Sequence, residues 1–489
     1  MNSESKSLYE YIRENLADGE LPPGFSLPRE KSKNQITFAD GVQDGIAVYH
    51  MGSAEVTEES MEILEELFRA VSEGEFEEGR QKLEEFAKKN TPLGAIDEFQ
   101  GYITENTDWI DAERLYRFAS KCLMSSRADI VKYGMEMLEV FSEPDEEMKE
   151  KIRTLGLCDE FTLFALFHMR GWSDANEEIF SVARRVHGWG RIHAVEQLEP
   201  ETEEIRKWLL EEGISNGVIP DYSALTVYQK ADVRKLLAGE AEKKTLRPIA
   251  AVIRALLSEG PVHGIRAVED ADAMLLDFIR QAGSGSPDLE LCAAVHDIVT
   301  AKRSEEVSTA GERYLKSRAV REAAGRWVER GEAVELAKYL GIDCCVPLYR
   351  CMAEDLHAHQ YQCSELIHSD DYRERTLELF RKSLPMDKMA AEPEDNLGLG
   401  KEYENDSVLC YLVQNLADYP LCGTDFVLLS LKSPVTRNRN MALRVLYAWC
   451  RAENCTLGEL SEELLCEVNA LKEKECTESV RKSMAEYGF

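Results

Sequence analysis

From Thr57 to the C-terminus, apolar residues recur three and four positions apart in short runs, separated by glycine, proline or clusters of polar residues. That spacing is the 3.6-residue period of an amphipathic helix; a strand would need alternation. The first run opens at Thr57, followed by Glu58, Glu59 and Ser60, carries Met61, Leu64, Phe68 and Val71 on one stripe, and stops at Gly74. A second run carries Phe76, Leu83, Phe86 and Ala87, so the pair reads as an antiparallel helical hairpin with its acidic residues facing water. The same grammar continues downstream, with prolines such as Pro144, Pro200, Pro248, Pro347 and Pro434 placed between helical runs.

Residues 1–52 are patterned differently. Leu8, Ile12 and Leu16 predict a short amphipathic helix with Ser5 as its N-cap and Gly19 as its stop. GELPPGFSLPREKSKNQ, with three prolines, reads as an extended connector, and ITFADGVQDGIAVYHMG has room for a β-hairpin around Asp40, Gly41, Asp44 and Gly45. Two stretches interrupt the later rhythm: AGSGSPD at 282–288 and the longest expected loop at 386–406. The chain therefore divides into the extension at 1–52, a first helical block at 53–282 and a second at 283–489.

Four likely second helices share an arginine, a small residue three positions on and a large apolar residue four further. They are Arg191, Ala194 and Leu198; Arg321, Ala324 and Val328; Arg373, Thr376 and Phe380; and Arg439, Ala442 and Leu446. The small residue lets a neighbouring helix approach, the large one fills the shared core, and the arginine sits where it can reach an acidic partner. This pattern resembles the second helix of HEAT repeats, which implies an all-α, irregular solenoid of helical hairpins. The alternative is a non-repeating pair of helical bundles, which would call for longer, heptad-like helices than these proline-punctuated runs.

Composition narrows the function classes. Lys plus Arg number 58 against 91 Asp plus Glu, a formal charge of -33, which repels nucleic-acid phosphates and anionic membrane surfaces and favours basic partners. HEAT-like folds also occur in alkylpurine DNA glycosylases, which grip the duplex with a basic face; the charge here has the opposite sign. No apolar stretch reaches the roughly 18 residues needed to cross a bilayer, and the opening residues lack the basic and apolar regions of a secretory signal. Thirteen cysteines, an odd number set among apolar neighbours, read as reduced thiols in the cytoplasm.

Two clusters hold candidate chemistry. Residues 344–368 gather Cys344, Cys345, Cys351, Cys363, His357, His359 and His368, all zinc-competent side chains, with Cys351, His357, His359 and Cys363 as the nearest to a ligand set. No CxxC pair occurs there, and on a helix only His359 and Cys363 share a face, so buried thiols and surface histidines are the expected reading and no cofactor is required. Around residue 190, Trp172, His187, Trp189, His193 and Glu196 combine aromatics, imidazoles and a carboxylate. If exposed, they form a contact patch for a protein or peptide; if not, they fill the joint between hairpins. Phosphate-binding loops, HExxH and GxSxG are absent from the sequence. The function expected is a non-catalytic scaffold binding a peptide or protein. The alternative is a metal-dependent enzyme using the Cys/His cluster, or an enzyme with a pocket near Trp189 and His193.

Overall fold

A computed structural model describes residues 6–28, 38–51, 56–141 and 143–489, and among these the fold is all-α: helices and turns, with no strand. The chain divides into two compact units, Met1–Gly285 with Asp297–Ala310, and Ser286–His296 with Gly311–Phe489. No helix is long and apolar enough to cross a membrane among the described residues.

The sequence signals act locally as physical chemistry requires. Helix Glu58–Glu73 begins where the Thr57 hydroxyl accepts from the Ser60 amide at 3.2 Å, satisfying one of the donors that a helix start leaves unpaired. It ends at Gly74, whose φ of 90° is open to glycine at no steric cost. Helix Phe76–Lys89 then packs back against it, burying Leu83 and Phe86 against Leu64, Phe68 and Val71.

Within the first unit the later helices follow the same plan. Ala112–Cys122 pairs with Ala128–Glu139, Glu146–Gly156 with Asp159–Met169, Ala175–Arg185 with Gly188–Gln197, and Glu203–Glu212 with Asp221–Lys230. The second members also contact one another in series, from Ala128–Glu139 through Asp159–Met169, Gly188–Gln197 and Asp221–Lys230 to Lys243–Leu257. Position in that series explains their composition. Asp159–Met169, DEFTLFALFHM, has no polar face to lose because it is covered on several sides, and Phe161, Phe164, Ala165 and Leu166 are buried.

In the second unit, helix Thr436–Glu453 is contacted by Glu404–Gln414, Thr424–Leu431 and Glu478–Tyr487. Its Trp449 is fully buried, and the indole N–H donates to the Leu416 carbonyl at 2.7 Å.

Three local expectations are corrected. Ser7, not Ser5, caps helix Leu8–Asn15, accepting from the Glu10 amide at 3.2 Å; Ser5 lies outside the described residues. Residues 42–50, expected in a β-hairpin, form helix Val42–His50, which starts from Gly41 in the left-handed region; residues 29–37 lie outside the described residues. The hairpin reading rested on the Asp-Gly pairs, but here Gly41 serves as a helix cap and Gly45 as the point where Trp189 packs closest. Pro248, expected between helical runs, is instead the sixth residue of helix Lys243–Leu257.

The stretch 386–406 is pinned instead of free. It contains helix Met386–Met389 and the 3-10 turn Lys401–Tyr403, and between them it bonds to the turn that opens helix Thr436–Glu453. The Ala391 amide donates to Lys432 at 2.8 Å, and the Thr436 amide donates to Asn396 at 2.8 Å.

The repeat arginines show a common geometry that the sequence reading did not anticipate. Arg191 donates to the Val186 carbonyl at 2.9 Å, Arg373 to Ile367 at 2.8 Å, and Arg439 to Ser433 and Pro434 at 2.9 Å each. Each guanidinium folds back onto carbonyls left unpaired at or just after the end of the preceding helix, and Arg481 does the same to Glu475. Arg321 is exposed and departs from this pattern.

Candidate functional site

Helix Val42–His50 lies against helices Ala128–Glu139, Asp159–Met169 and Gly188–Gln197, and it organises the chemistry of the first unit. On one side, Tyr49 stacks on His193 with ring centroids 6.2 Å apart, lies 6.0 Å from Trp189, and donates its hydroxyl to Glu196 at 3.0 Å. Tyr222 from helix Asp221–Lys230 closes the cluster, 4.8 Å from Trp189 and 5.0 Å from Tyr49, and its hydroxyl pairs with His50 at 2.7 Å. Gly45 is required here, because a Cβ would fall within the Trp189 ring.

The expected contact patch is therefore filled from within the chain. Trp189 is 6% exposed and His193 2%, and Glu196, although on the surface, is held by Tyr49. Neither ring nitrogen of His193 has a hydrogen-bond partner among the described residues, and burial pushes its pKa down to about 4. Trp172 is also buried and belongs to a different set of contacts: its indole donates to His168 at 3.0 Å, and the Lys149 ammonium lies 5.0 Å from its ring. His187 is exposed and joins neither group.

On its other side, helix Val42–His50 forms one wall of a cleft of about 860 Å³, with Ala87, Pro92 and Leu93 opposite. At the floor, the Lys132 ammonium bridges Asp44 and Glu160 at 2.6 Å each, and the second oxygen of Glu160 accepts from the Gly41 amide at 3.1 Å. Burial pulls Lys132 toward neutrality, but the two carboxylates outweigh it and hold its pKa above the ordinary value. Burial raises Asp44, and Lys132 offsets only part of that rise. One turn further along the same helix, Glu136 is 1% exposed with neither oxygen hydrogen-bonded among the described residues; burial and the nearby Glu139 and Asp44 raise its pKa well above the usual carboxylate value. Arg127 and Asp129 pair at 3.1 Å on the lining, while Phe38, Val48 and Met51 remain 42%, 40% and 64% exposed.

A second cleft of about 480 Å³ is lined by Pro22, Asp40, Cys158, Asp159, Arg185 and His187. Asp159 is aimed at the start of helix Gly188–Gln197 and accepts from the Gly190 amide, and Gly188 and Gly190 leave the room its carboxyl occupies. Burial nevertheless pushes its pKa up to about 8.

In the second unit, the Cys/His stretch spreads over helices Cys345–Glu354, Leu356–His359 and Cys363–Ile367. His357 pairs with Asn405 at 3.1 Å, His359 with Gln362 at 3.2 Å, and His368 with the Ser364 carbonyl at 2.7 Å. Cys363 is fully buried, and burial raises its thiol to about 12; Cys351 and Cys344 are buried as well, and Cys345 partly so. Among the described residues no group of three or more His, Cys, Asp or Glu side chains is placed to hold a metal ion.

Asp44, Lys132 and Glu160 were missed from the sequence. Asp129, Lys132, Glu136 and Glu139 recur at helical spacing on one face of helix Ala128–Glu139, which reads as a solvated stripe, whereas Lys132 and Glu136 are buried. Their partners, 88 and 28 residues away for Lys132, carry no local mark. The chain matches no protein-family model, no curated protein and no solved structure.

Proposed function

We propose that this chain is a non-catalytic scaffold of HEAT-like helical hairpins that docks a peptide segment of a protein partner in the cleft beside helix Val42–His50. The observation that carries the reading is the cleft itself: about 860 Å³ of open volume with Phe38, Val48 and Met51 exposed along it. Exposed apolar side chains gathered around a concave site mark surfaces that partners cover. The hairpin series in the first unit and the arginines that tie one helix end to the next supply a rigid support for such a site. The net charge of -33 selects a basic segment and speeds its encounter. Thirteen free cysteines fit a cytoplasmic setting.

The test is a peptide array probed with the full chain, followed by titration of the best binders against wild type and Ala47→Trp, which fills the cleft. Binders should combine Lys or Arg with an apolar anchor, weaken as salt rises, and lose at least about tenfold in affinity on Ala47→Trp with the thermal melt unchanged. An array without binders, or binders indifferent to Ala47→Trp, removes the proposal.

A further inference from the structure

Cys450 and Cys455 are five positions apart, a spacing that a continuing helix would turn to different sides, about 140° apart around its axis. The helix does not continue. Helix Thr436–Glu453 ends at Asn454, which takes the left-handed conformation, φ 51° and ψ 45°, that asparagine visits more readily than most residues with a side chain. The reversal folds the next residue back over the last turn, where the Cys455 amide donates to the Cys450 carbonyl at 3.0 Å and the Asn454 amide to Arg451 at 3.4 Å. Those two bonds are the closure of a Schellman turn, in which the residues joined by the longer-range bond commonly pack side chain to side chain. Here both of those residues are cysteines.

The geometry suits a covalent bond. A hydrogen bond of 3.0 Å, with the covalent bonds that flank it, holds the two Cα atoms within about 7 Å, the limit beyond which a disulfide cannot close. The thiols also feel each other: burial first, and then charge on Cys455, raise the Cys450 thiol above its ordinary value. Both side chains are half-buried, with Cys450 packed against the core of the second unit, so a small water-soluble oxidant can reach the pair. Cys122 and Cys363 differ. They are buried, and burial lifts both thiols to about 12, away from the reactive thiolate.

We infer that Cys450 and Cys455 are a redox modification site, a dithiol that a hydroperoxide converts to a disulfide closing the end of helix Thr436–Glu453. One thiol attacks hydrogen peroxide, takes one of its oxygens as a sulfenic acid and releases water. The second thiol displaces the sulfenic hydroxyl as another water, and the S–S bond forms. The two sulfurs together give up two electrons and two hydrogens, and the peroxide is reduced to water. The bond fastens the last helical turn to the residue before Thr456, whose hydroxyl accepts from the Glu459 amide at 3.4 Å and caps helix Leu457–Leu460. Oxidation thus locks a joint between two helices that backbone hydrogen bonds close in the reduced chain. The pair belongs to the second unit and is independent of the docking cleft in the first.

The experiment treats the folded full chain with one equivalent of hydrogen peroxide, blocks the remaining thiols by alkylation and maps the tryptic peptides by mass spectrometry. Trypsin cuts after Arg444, Arg451 and Lys472, so the bond joins peptide 445–451 to peptide 452–472, and fragmentation of the second tells Cys455 from Cys466. The link between Cys450 and Cys455 should be the predominant disulfide, and dithiothreitol should remove it. Amide exchange at Asn454 and Cys455 should slow at least about tenfold on oxidation. Cys455→Ser should lose both the link and the slowing while keeping the wild-type melt. A link that forms only in urea, oxidation that stops at Cys466 and Cys476, or a link with unchanged exchange overturns the assignment. Should Cys455→Ser fail to fold, the wild-type map decides alone: Cys450 joined to any other cysteine, or left as a thiol, overturns it as well.

Discussion

Arg439 and Glu475 form a two-pronged ion pair from which water is excluded: Nε meets Oε2 at 2.7 Å and Nη2 meets Oε1 at 2.9 Å, with both side chains 0% exposed. The remaining donors of Arg439 are spent on the carbonyls of Ser433, Pro434 and Glu394 and on the Thr477 hydroxyl. One guanidinium thus joins the start of its own helix, the strap at 394 and the turn that follows helix Glu462–Lys474.

Removing one member of such a pair leaves an uncompensated buried charge. Glu475→Gln should therefore cost about 3–5 kcal/mol, a larger loss than an exposed ion pair such as Arg69 with Glu65 could produce. Arg439→Lys keeps the charge but has too few donors in the wrong geometry, and should cost about 2–3 kcal/mol. Because two compact units need not unfold together, the sharper readout is amide hydrogen exchange. Protection should fall first in residues 391–397 and 474–478; unchanged protection there would show that the pair does not hold the strap.

Gly45 meets Trp189 so closely that there is no space for a methyl group between helices Val42–His50 and Gly188–Gln197. Gly45→Ala gains intrinsic helix propensity, yet the overpacking should outweigh that gain and destabilise by about 1–3 kcal/mol. The helix would have to lift its Tyr49 away from Trp189 and Tyr222, so peptide binding in the cleft should be lost as well. A variant that is more stable than wild type and binds peptide normally would contradict this account.

How much of this was legible beforehand depended on sequence range. The hairpin formed by helices Glu58–Glu73 and Phe76–Lys89 could be read almost residue by residue because Thr57, Gly74 and the two apolar stripes act within a few positions of themselves. Helix Val42–His50 was misread because its Asp-Gly pairs carry a strong local turn signal, and what overrides it is tertiary: Lys132 for Asp44 and Trp189 for Gly45. The aromatic and histidine residues near 190 stand out in the sequence by their types alone. Whether Trp189 and His193 faced water depended on Tyr49 and Tyr222, which no pattern near residue 190 could supply. The Arg439 geometry was half legible: an arginine in the first turn seeking an acid was expected, but its capping of the preceding helix was not.

His193 is neutral in the folded chain because burial depresses its pKa from 6.5 to about 4, and His168 is depressed to about 4 for the same reason. The unfolded chain takes up protons on both below about pH 6.5 while the folded chain does not. Their contribution is thus full above that pH and is lost as pH falls toward 4, by about 1.4 kcal/mol per unit for each. His193→Phe removes one of these groups while keeping a ring against Tyr49. The stability of this variant relative to wild type should rise as pH is lowered from 6.5 to 4, measured by denaturant unfolding at each pH. A constant difference would mean that His193 already titrates normally.

Asp159 biases stability in the opposite direction. Its folded-state pKa is raised from 3.8 to about 8 by burial, so between those values the unfolded chain releases a proton that the folded chain retains. Stability from this group is full below about pH 4 and declines as pH rises toward 8, by about 1.4 kcal/mol per unit before neighbouring groups respond. Asp159→Asn is neutral throughout and keeps an oxygen to accept from Gly190. Its advantage over wild type should therefore grow with pH between about 5 and 8. Paired thermal melts across that range read the slope directly. A flat difference would place the Asp159 carboxylate in the ionised state, held by the helix start at Gly188–Gln197 strongly enough to overcome its burial.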